Sequence, residues 1–544
     1  MHLMKFLNTQ TKSVSFASLI LAGSYLLSAM LGLLRDHLLA GRFGAGNELD
    51  VYYSAFTIPD FIALVLIFGA ISAAIIPIFS SYLVNSKEEA WHYISNLLNI
   101  FLTFLIIICI VLIIFAPFLI NLIAPGFSES KKEMTVMLMR IMFLSPIILG
   151  TSSIISGILQ VFHRFLVTAL APIMYNLGII IGILFFVPKF GLKGLAFGVV
   201  FGALLHLFIQ IPAFLHSGFK YQLNFNLRHP GVLKTLKLMV PRSLGLGAGQ
   251  LNTIVITAIA STLASGSIAV FNLANNLSSI LVNTVAVSLS TAIFPTMSLA
   301  FSKEDKKDFE KKFLGAFGQI IFLSLPISVL IFLLRAQIVR VVLGTGKFTW
   351  IDTRLTAACL GIFSFGLFAQ GLIFLLSKTF YAVLNTKIPA IISGATVAFN
   401  IIMSLFLLWL LSFTNMFSSF LHLILKLQTV RNINVVGLAL AFTITAICEA
   451  LLLLIFLHKK LKIFKTKEIF SSLYKILISS IVMAVAILLI RDGLIKYNII
   501  NLQTFLGVFL QLILSGGLGA LCYIIASFIL KSEELKKIKS LFFK

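Results

Sequence analysis

Runs of roughly 20 apolar residues, separated by short clusters of Lys, Gly, Pro and Asn, follow one another along almost the whole chain, and a helix of that length crosses about 30 Å of hydrocarbon. About fourteen runs can be marked off, with approximate limits at 14–34, 51–80, 93–120, 135–161, 168–187, 194–215, 238–262, 268–299, 313–334, 353–377, 388–411, 435–457, 470–490 and 503–530. The second and eighth exceed a straight crossing, so they are expected to tilt, kink or extend into solvent. Barrel strands would alternate apolar and polar residues, whereas these runs are continuous; in lipid that leaves helices. The expected fold class is therefore an all-α polytopic membrane protein.

The polar punctuation also repeats. Ser72-Ala73-Ala74-Ile75-Ile76-Pro77-Ile78-Phe79-Ser80 recurs 218 residues later as Ser290-Thr291-Ala292-Ile293-Phe294-Pro295-Thr296-Met297-Ser298. Each copy follows a small-residue turn, Ala45-Gly46 in one and Ser265-Gly266 in the other, and each leads into a charged loop. Further on, Gly191-Leu192-Lys193-Gly194-Leu195-Ala196 is echoed by Asn434-Val435-Val436-Gly437-Leu438-Ala439. The pattern reads as a duplicated six-helix lobe, residues 1–216 and then 217–460, followed by a helix pair and basic tail at 461–544. Because six is even, both copies enter the membrane the same way and are related by an axis along its normal, with a cavity expected between them. A duplication of this kind in a membrane protein points first to transport.

Composition agrees: 59% of the 544 residues are hydrophobic, only 11% are charged and mean hydropathy is +1.07, more apolar surface than a water-soluble core could hide. The net charge is +24, and the heaviest basic loops are 303–312, 459–467 and the tail from Lys531 onward. With the N-terminus in the cytoplasm, these loops and the C-terminus share that side, as the positive-inside rule requires. The charge is mainly a topology signal, with attraction to anionic membrane lipids secondary; no basic surface is interleaved with aromatics in a soluble module, so nucleic acid is not an expected partner. Cys109, Cys359, Cys448 and Cys522 lie in apolar runs without paired spacing, which argues against a disulfide framework or metal cluster. Residues 1–12 carry no cleavage signature and read as the start of a multi-spanning chain. The linker 412–434, with Phe420, Leu421, Leu423, Ile424 and Leu425 beside Lys426 and Arg431, reads as an interfacial helix.

Charges inside the spans are the candidate functional residues, because each is costly unless paired or facing water. Arg35 and Asp36 close the first span, Asp50 opens the second, and Asp60 follows Pro59, whose missing N–H frees a carbonyl and permits a bend toward a polar cavity. The alternative for Arg35, Asp36 and Asp50 is a solvated cluster at the membrane edge. Arg242, after Pro241, could enter the same cleft from the other copy or serve as a snorkelling anchor. Arg140 and Glu449 are weaker candidates, and Lys378 and Lys387 read as topology determinants. Asn272, Asn275, Asn276 and Asn283 share roughly one helical face, suited to sugar and peptide groups or to neighbouring helices. The chain has no His-Glu-x-x-His, Gly-x-Ser-x-Gly or Walker sequence, and no clustered histidines, so neither an enzyme, a resident metal nor a cofactor is expected.

An ordered set of segments resembles the MurJ (MviN) lipid II flippases of the multidrug/oligosaccharidyl-lipid/polysaccharide exporter superfamily. It comprises Leu31-Gly32-Leu33-Leu34-Arg35-Asp36, Phe43-Gly44-Ala45-Gly46, Asp50, Ala124-Pro125-Gly126-Phe127, Arg164-Phe165, Ala171-Pro172, Ala264-Ser265-Gly266-Ser267, Phe294-Pro295, Gly346-Lys347-Phe348-Thr349, Phe380-Tyr381-Ala382 and Thr386-Lys387. The resemblance implies fourteen helices in two lobes in a bacterial inner membrane, around a cationic cavity for the head group of an undecaprenyl-diphosphate-type peptidoglycan precursor. It also implies a groove for the lipid tail at the last two helices and a place beside the cell wall synthesis machinery.

The chain departs from the family pattern at Ala29, Ala63, Leu64, Phe68, Asn275 and Asn276, where the resemblance would place charged residues; Arg35 and Asp50 carry over directly. Each lost charge-assisted contact to phosphate removes roughly 1.5–3 kcal/mol. Arg242 or Arg140 would then compensate, or the cargo differs. The rival readings are a flippase for O-antigen or capsule precursors, a drug/cation antiporter relying on Asp60 or Glu449, and a non-transporting membrane scaffold.

Overall fold

The computed structural model describes residues 14–68, 74–430, 432–461 and 466–536, with side chains at 14–19, 66–68, 240–242, 244–246, 248, 281, 283 and 466–471 also outside the described set. Residues 1–12, Ser72, Ala73 and Arg431, named above, therefore lie outside it, as do the side chains of Phe68, Arg242 and Asn283. Among the described residues the chain is helical throughout, without a strand, and it forms two compact units, Met1–Ile268 and Ala269–Lys544.

The first unit contains α1 (Val14–Phe43), α2 (Asn47–Ile62), α3 (Ile76–Asn85), α4 (Lys87–Ile114), α5 (Ala116–Ile123), α6 (Glu129–Met142), α7 (Leu144–Val161), α8 (Phe165–Ile181), α9 (Lys193–Phe208) and α10 (Pro230–Ser261). Helix α1 packs on α8, α2 on α6, and α8 on α9. The α8–α9 crossing is backbone against backbone: a Cβ at Gly178 would stand 2.3 Å from the Gly202 Cα, and one at Gly182 would stand 2.4 Å from the Gly198 Cα. In lipid, where apolar side chains gain little from leaving the solvent, such close approach is a main source of helix association. Ser86 caps α4, accepting the Glu89 N–H, with Glu88 and Glu89 favourably placed in the first turn. The loop before α10 is tied to α4 by Asn96, whose amide accepts the Asn226 N–H at 2.7 Å and donates to the Asn226 carbonyl at 2.8 Å.

The second unit contains α12 (Ser288–Ser302), α13 (Lys306–Val342), α14 (Trp350–Ala382), α15 (Lys387–Leu411), α16 (Met416–Leu425), α17 (Asn434–Leu461), α18 (Thr466–Lys496) and α19 (Phe505–Ile529); α11 (Ser267–Val282) spans the unit boundary. Helix α14 is the most enclosed, between α13 and α17, and begins with a reciprocal capping box between Thr349 and Asp352. The terminal pair α18–α19 packs on itself and on α13, fixed by Tyr523 donating to the Phe322 carbonyl at 2.8 Å and Gln337 to Gln511 at 3.0 Å. Of the glycines there, Gly519 abuts Ile487 and Gly516 faces Leu334, whereas Gly517 opens to empty space.

Among the described residues, eleven helical segments are long and apolar enough to cross a membrane, matching eleven of the expected runs. The remaining three fall on α1, on 47–85 and on α10, all of which include residues or side chains outside the described set. π-Helical turns interrupt the helices at Ala63–Phe68, Gly182–Phe186 and Asn283–Val287, the second of them directly after α8. π-Helical turns at Ala63–Phe68 and Asn283–Val287 precede the two copies of the Pro-containing segment. In the linker 412–434, α16 covers Met416–Leu425 and exposes Phe420, Leu423 and Ile424 while burying Leu421 and Leu425.

Candidate functional site

The sequence places Arg35 two turns before the end of α1, and the fold surrounds it with polar groups from α2 and α8. Its Nε and Nη2 both donate to Asp36 Oδ1, at 3.0 and 2.9 Å, and Nη1 donates to Asn176 Oδ1 at 3.2 Å. Asn176 in turn donates to the Ser28 hydroxyl at 3.2 Å and to the Pro172 carbonyl, one turn earlier on α8, at 3.3 Å. Tyr52, Tyr53, Asp60 and Tyr175 lie within Coulombic range of the guanidinium. Asp36 is buried, while the Arg35 side chain keeps 23% of its surface exposed. Three of its five N–H groups are engaged in this way, so on its partly open face the guanidinium can meet an anionic oxygen while Asp36 and Asn176 hold it.

Asp60, on the turn after Pro59, accepts from Gln250 Nε2 of α10 at 3.1 Å. Ser243 of α10 donates to the Val65 carbonyl at 2.8 Å, inside the adjacent π-turn, so α10 is stitched to α2 at two levels. Asp60 thus has an amide partner, with Tyr52 and Tyr175 nearby. The Tyr53 hydroxyl is buried with no hydrogen-bond partner among the described residues.

Asp50 occupies a different position. It accepts the Gly266 N–H at 2.7 Å and lies 3.7 Å from Lys131 Nζ, so its carboxylate sits at the N-terminus of α11, where helix dipole and free N–H groups favour a negative charge. Gly266 has φ of +88°, and a Cβ there would be 2.0 Å from the Ala45 carbonyl oxygen. Ser265 donates to Asn47 at 2.6 Å, and the Gly126 N–H donates to Ser261 at 3.1 Å. Thus three segments far apart in sequence, at 45–50, 126–131 and 261–266, converge at one junction. The membrane-edge alternative for Asp50 does not describe this: the residue is 2% exposed.

Arg35, Asp50 and Asp60 all belong to the first unit, with Arg35 and Asp60 in one cluster and Asp50 in the junction. Asn272, Asn275 and Asn276 are half-buried on α11 within the second unit. The helix α10 carries Arg242, whose side chain lies outside the described set. Arg140 donates to the Ile113 carbonyl at 3.2 Å and Glu449 accepts from Ser393 at 2.7 Å, each with a local structural partner. Sequence reasoning missed Asn176, Tyr175, Gln250 and Lys131. The signal for Asn176 was present, one turn after Pro172, but no pattern along the chain pairs it with Arg35.

The family profile described as "Lipid II flippase MurJ" matches residues 39–506. The chain belongs to the MurJ family.

Relatives support this assignment over nearly the whole length. A probable lipid II flippase MurJ of Buchnera aphidicola subsp. Acyrthosiphon pisum is 29% identical over 504 residues, covering 92% of this chain and 94% of the relative. Its counterpart from Buchnera aphidicola subsp. Schizaphis graminum is 32% identical over 389 residues, 71% of this chain and 76% of the relative. A solved structure of lipid II flippase MurJ in an inward closed conformation superposes with a TM-score of 0.75 at 28% identity, covering 94% of this chain and 98% of that one. An inward-facing MATE multidrug transporter of the MOP superfamily shares the fold, with a TM-score of 0.63 at 15% identity, covering 81% of this chain and 96% of that one. As a MurJ family member the chain is a multi-pass bacterial inner-membrane protein of a transporter family, not an enzyme family.

Proposed function

We propose that this protein is a lipid II flippase, moving a polyprenyl-diphosphate-linked peptidoglycan precursor from the inner to the outer leaflet by alternating access. The observation that carries the reading is the family match across residues 39–506. In this reading the lobes are 1–216 and 217–460, related by the duplication, and the pair at 461–544 lies beside the lipid tail. Both termini are cytoplasmic. The paired π-turns at 63–68 and 283–287 support the duplication, since a shared irregularity is harder to acquire twice than a shared apolar run.

Arg35, Asp50, Asp60, Arg242, Asn272, Asn275 and Asn276 are the proposed cavity residues. Arg35 takes the diphosphate, while its neighbours Asp36 and Asn176 engage three of its five N–H groups and orient the guanidinium. The asparagines are suited to the sugar and peptide groups, which present hydroxyls and amides rather than charge. The polyprenyl tail is an undecaprenyl-type chain that stays in lipid throughout. An outside-positive potential would contribute about 2.3 kcal/mol per elementary charge per 100 mV to outward movement of the anionic head group.

The test is depletion of the native lipid II flippase in a bacterium expressing this chain, with growth and cleavage of lipid II by an externally added enzyme as readouts. Rescue with restored external cleavage is expected. A protein present and folded in the membrane that restores neither would overturn lipid II as the cargo.

A further inference from the structure

At one end of the second unit, the start of α13, the start of α18 and the segment after α19 enclose a cavity of about 580 Å³. Its floor is apolar, formed by Phe317 and Ile321 on one side and Leu473 and Ile476 on the other. Its rim is charged with both signs. Lys307 and Lys311, four residues apart and so on one helical face, stand with Glu310 on α13, and Glu533 and Glu534 stand opposite.

Glu534 is built into the wall. It is 6% exposed, accepts from the Ser472 hydroxyl with Oε1 and from the Ser532 hydroxyl at 2.7 Å with Oε2, and packs against Gly318, where a Cβ would be 3.0 Å from its Oε1. By contrast, the side chains of Lys307, Lys311, Glu310 and Glu533 make no hydrogen bond or ion pair among the described residues. Two cations and two carboxylates therefore surround one cavity without engaging each other.

That arrangement selects among head groups. A purely anionic one would meet two lysines but also face three carboxylates, and a simple cation would leave the lysines unanswered. A zwitterion with phosphate and amine a few ångströms apart answers both, and a primary ammonium offers the N–H donors that a quaternary ammonium lacks. The volume takes a head group and glycerol but not two acyl chains. We propose that this cavity binds the phosphoethanolamine head group of a phospholipid. Its assignment to the inner leaflet rests on the cytoplasmic termini proposed above; the binding itself does not depend on flipping.

The experiment is native mass spectrometry of the full-length protein released from micelles containing equal amounts of dioleoyl phosphatidylethanolamine, phosphatidylcholine and phosphatidylglycerol. The wild type is expected to retain the ethanolamine lipid preferentially. Lys307→Ala with Lys311→Ala is expected to lower that retention about tenfold, the equivalent of one charge-assisted contact. Glu310→Gln with Glu533→Gln is expected to shift the preference toward phosphatidylglycerol. Lys307, Lys311 and Glu533 are exposed and Glu310 is half-buried, and the double variants should melt as the wild type does. Equal retention of the three lipids, or an ethanolamine preference unaltered in both double variants, would overturn the proposal. So would displacement by soluble glycerophosphoethanolamine at the lipid's own concentration, which would make the ligand a free phosphate ester.

Discussion

Asn47 and Ser265 stand 218 positions apart, the interval that separates the two copies of the Ser-x-Ala-Ile-x-Pro segment, and the Ser265 hydroxyl donates to the Asn47 side-chain oxygen at 2.6 Å. The turns that open the two copies thus pack on each other. Three residues along α2, Asp50 reinforces the contact by accepting the Gly266 N–H.

Gly266→Ala is expected to break this junction, because the side chain would collide with the Ala45 carbonyl at a backbone angle L-residues rarely adopt, a strain of about 1–3 kcal/mol. Complementation should fall while protein remains in the membrane. Asp50→Ala should be nearly as damaging and Asp50→Asn milder, since the amide oxygen can still accept the N–H. Normal growth of the Gly266→Ala strain would show the junction to be dispensable.

Arg35→Ala is expected to abolish complementation at unchanged membrane level. Arg35→Lys should recover only a small part, because one ammonium cannot reproduce the fork that reaches Asp36 and Asn176 together. External cleavage of lipid II measures the difference, and full activity of the alanine variant would remove Arg35 from the site.

Asp60→Asn should retain most complementation, since an amide oxygen still accepts from Gln250, whereas Asp60→Leu should lose it by leaving that glutamine unanswered, a cost of about 1–3 kcal/mol. If the asparagine variant were as inactive as the leucine one, the charge itself would be required, as ion-coupled transport demands.

Gly198→Leu is expected to be among the most destabilising single changes in the first unit. The side chain has only the Gly182 backbone to occupy, 2.8 Å from a Cβ, so α8 and α9 must separate, with overpacking costs of about 1–3 kcal/mol or more. A fall in melting temperature in detergent tests this; an unchanged value would mean that the crossing adjusts freely.

The membrane class, eleven of the spans, the linker helix and the family were legible along the chain because each depends on local composition or on short motifs. Arg35, Asp50 and Asp60 could be singled out for the same reason: an ionised side chain in an apolar run is conspicuous whatever surrounds it. Their partners were not. Asn176, Gln250 and Gly266 are ordinary residues in their own segments, and they become specific only when α8, α10 and the turn before α11 are brought against α1 and α2.

Asp50 shows the difference most plainly. Read along the chain it was a membrane-edge charge or a cavity candidate; in the fold it is a buried acceptor at the N-terminus of α11. The sequence alone determined that this chain lives in lipid as helices, since apolar periodicity and length act within about 20 residues. Only the tertiary structure decided which polar groups answer one another, because a hydrogen bond depends on distances of about 3 Å between atoms that can be hundreds of residues apart.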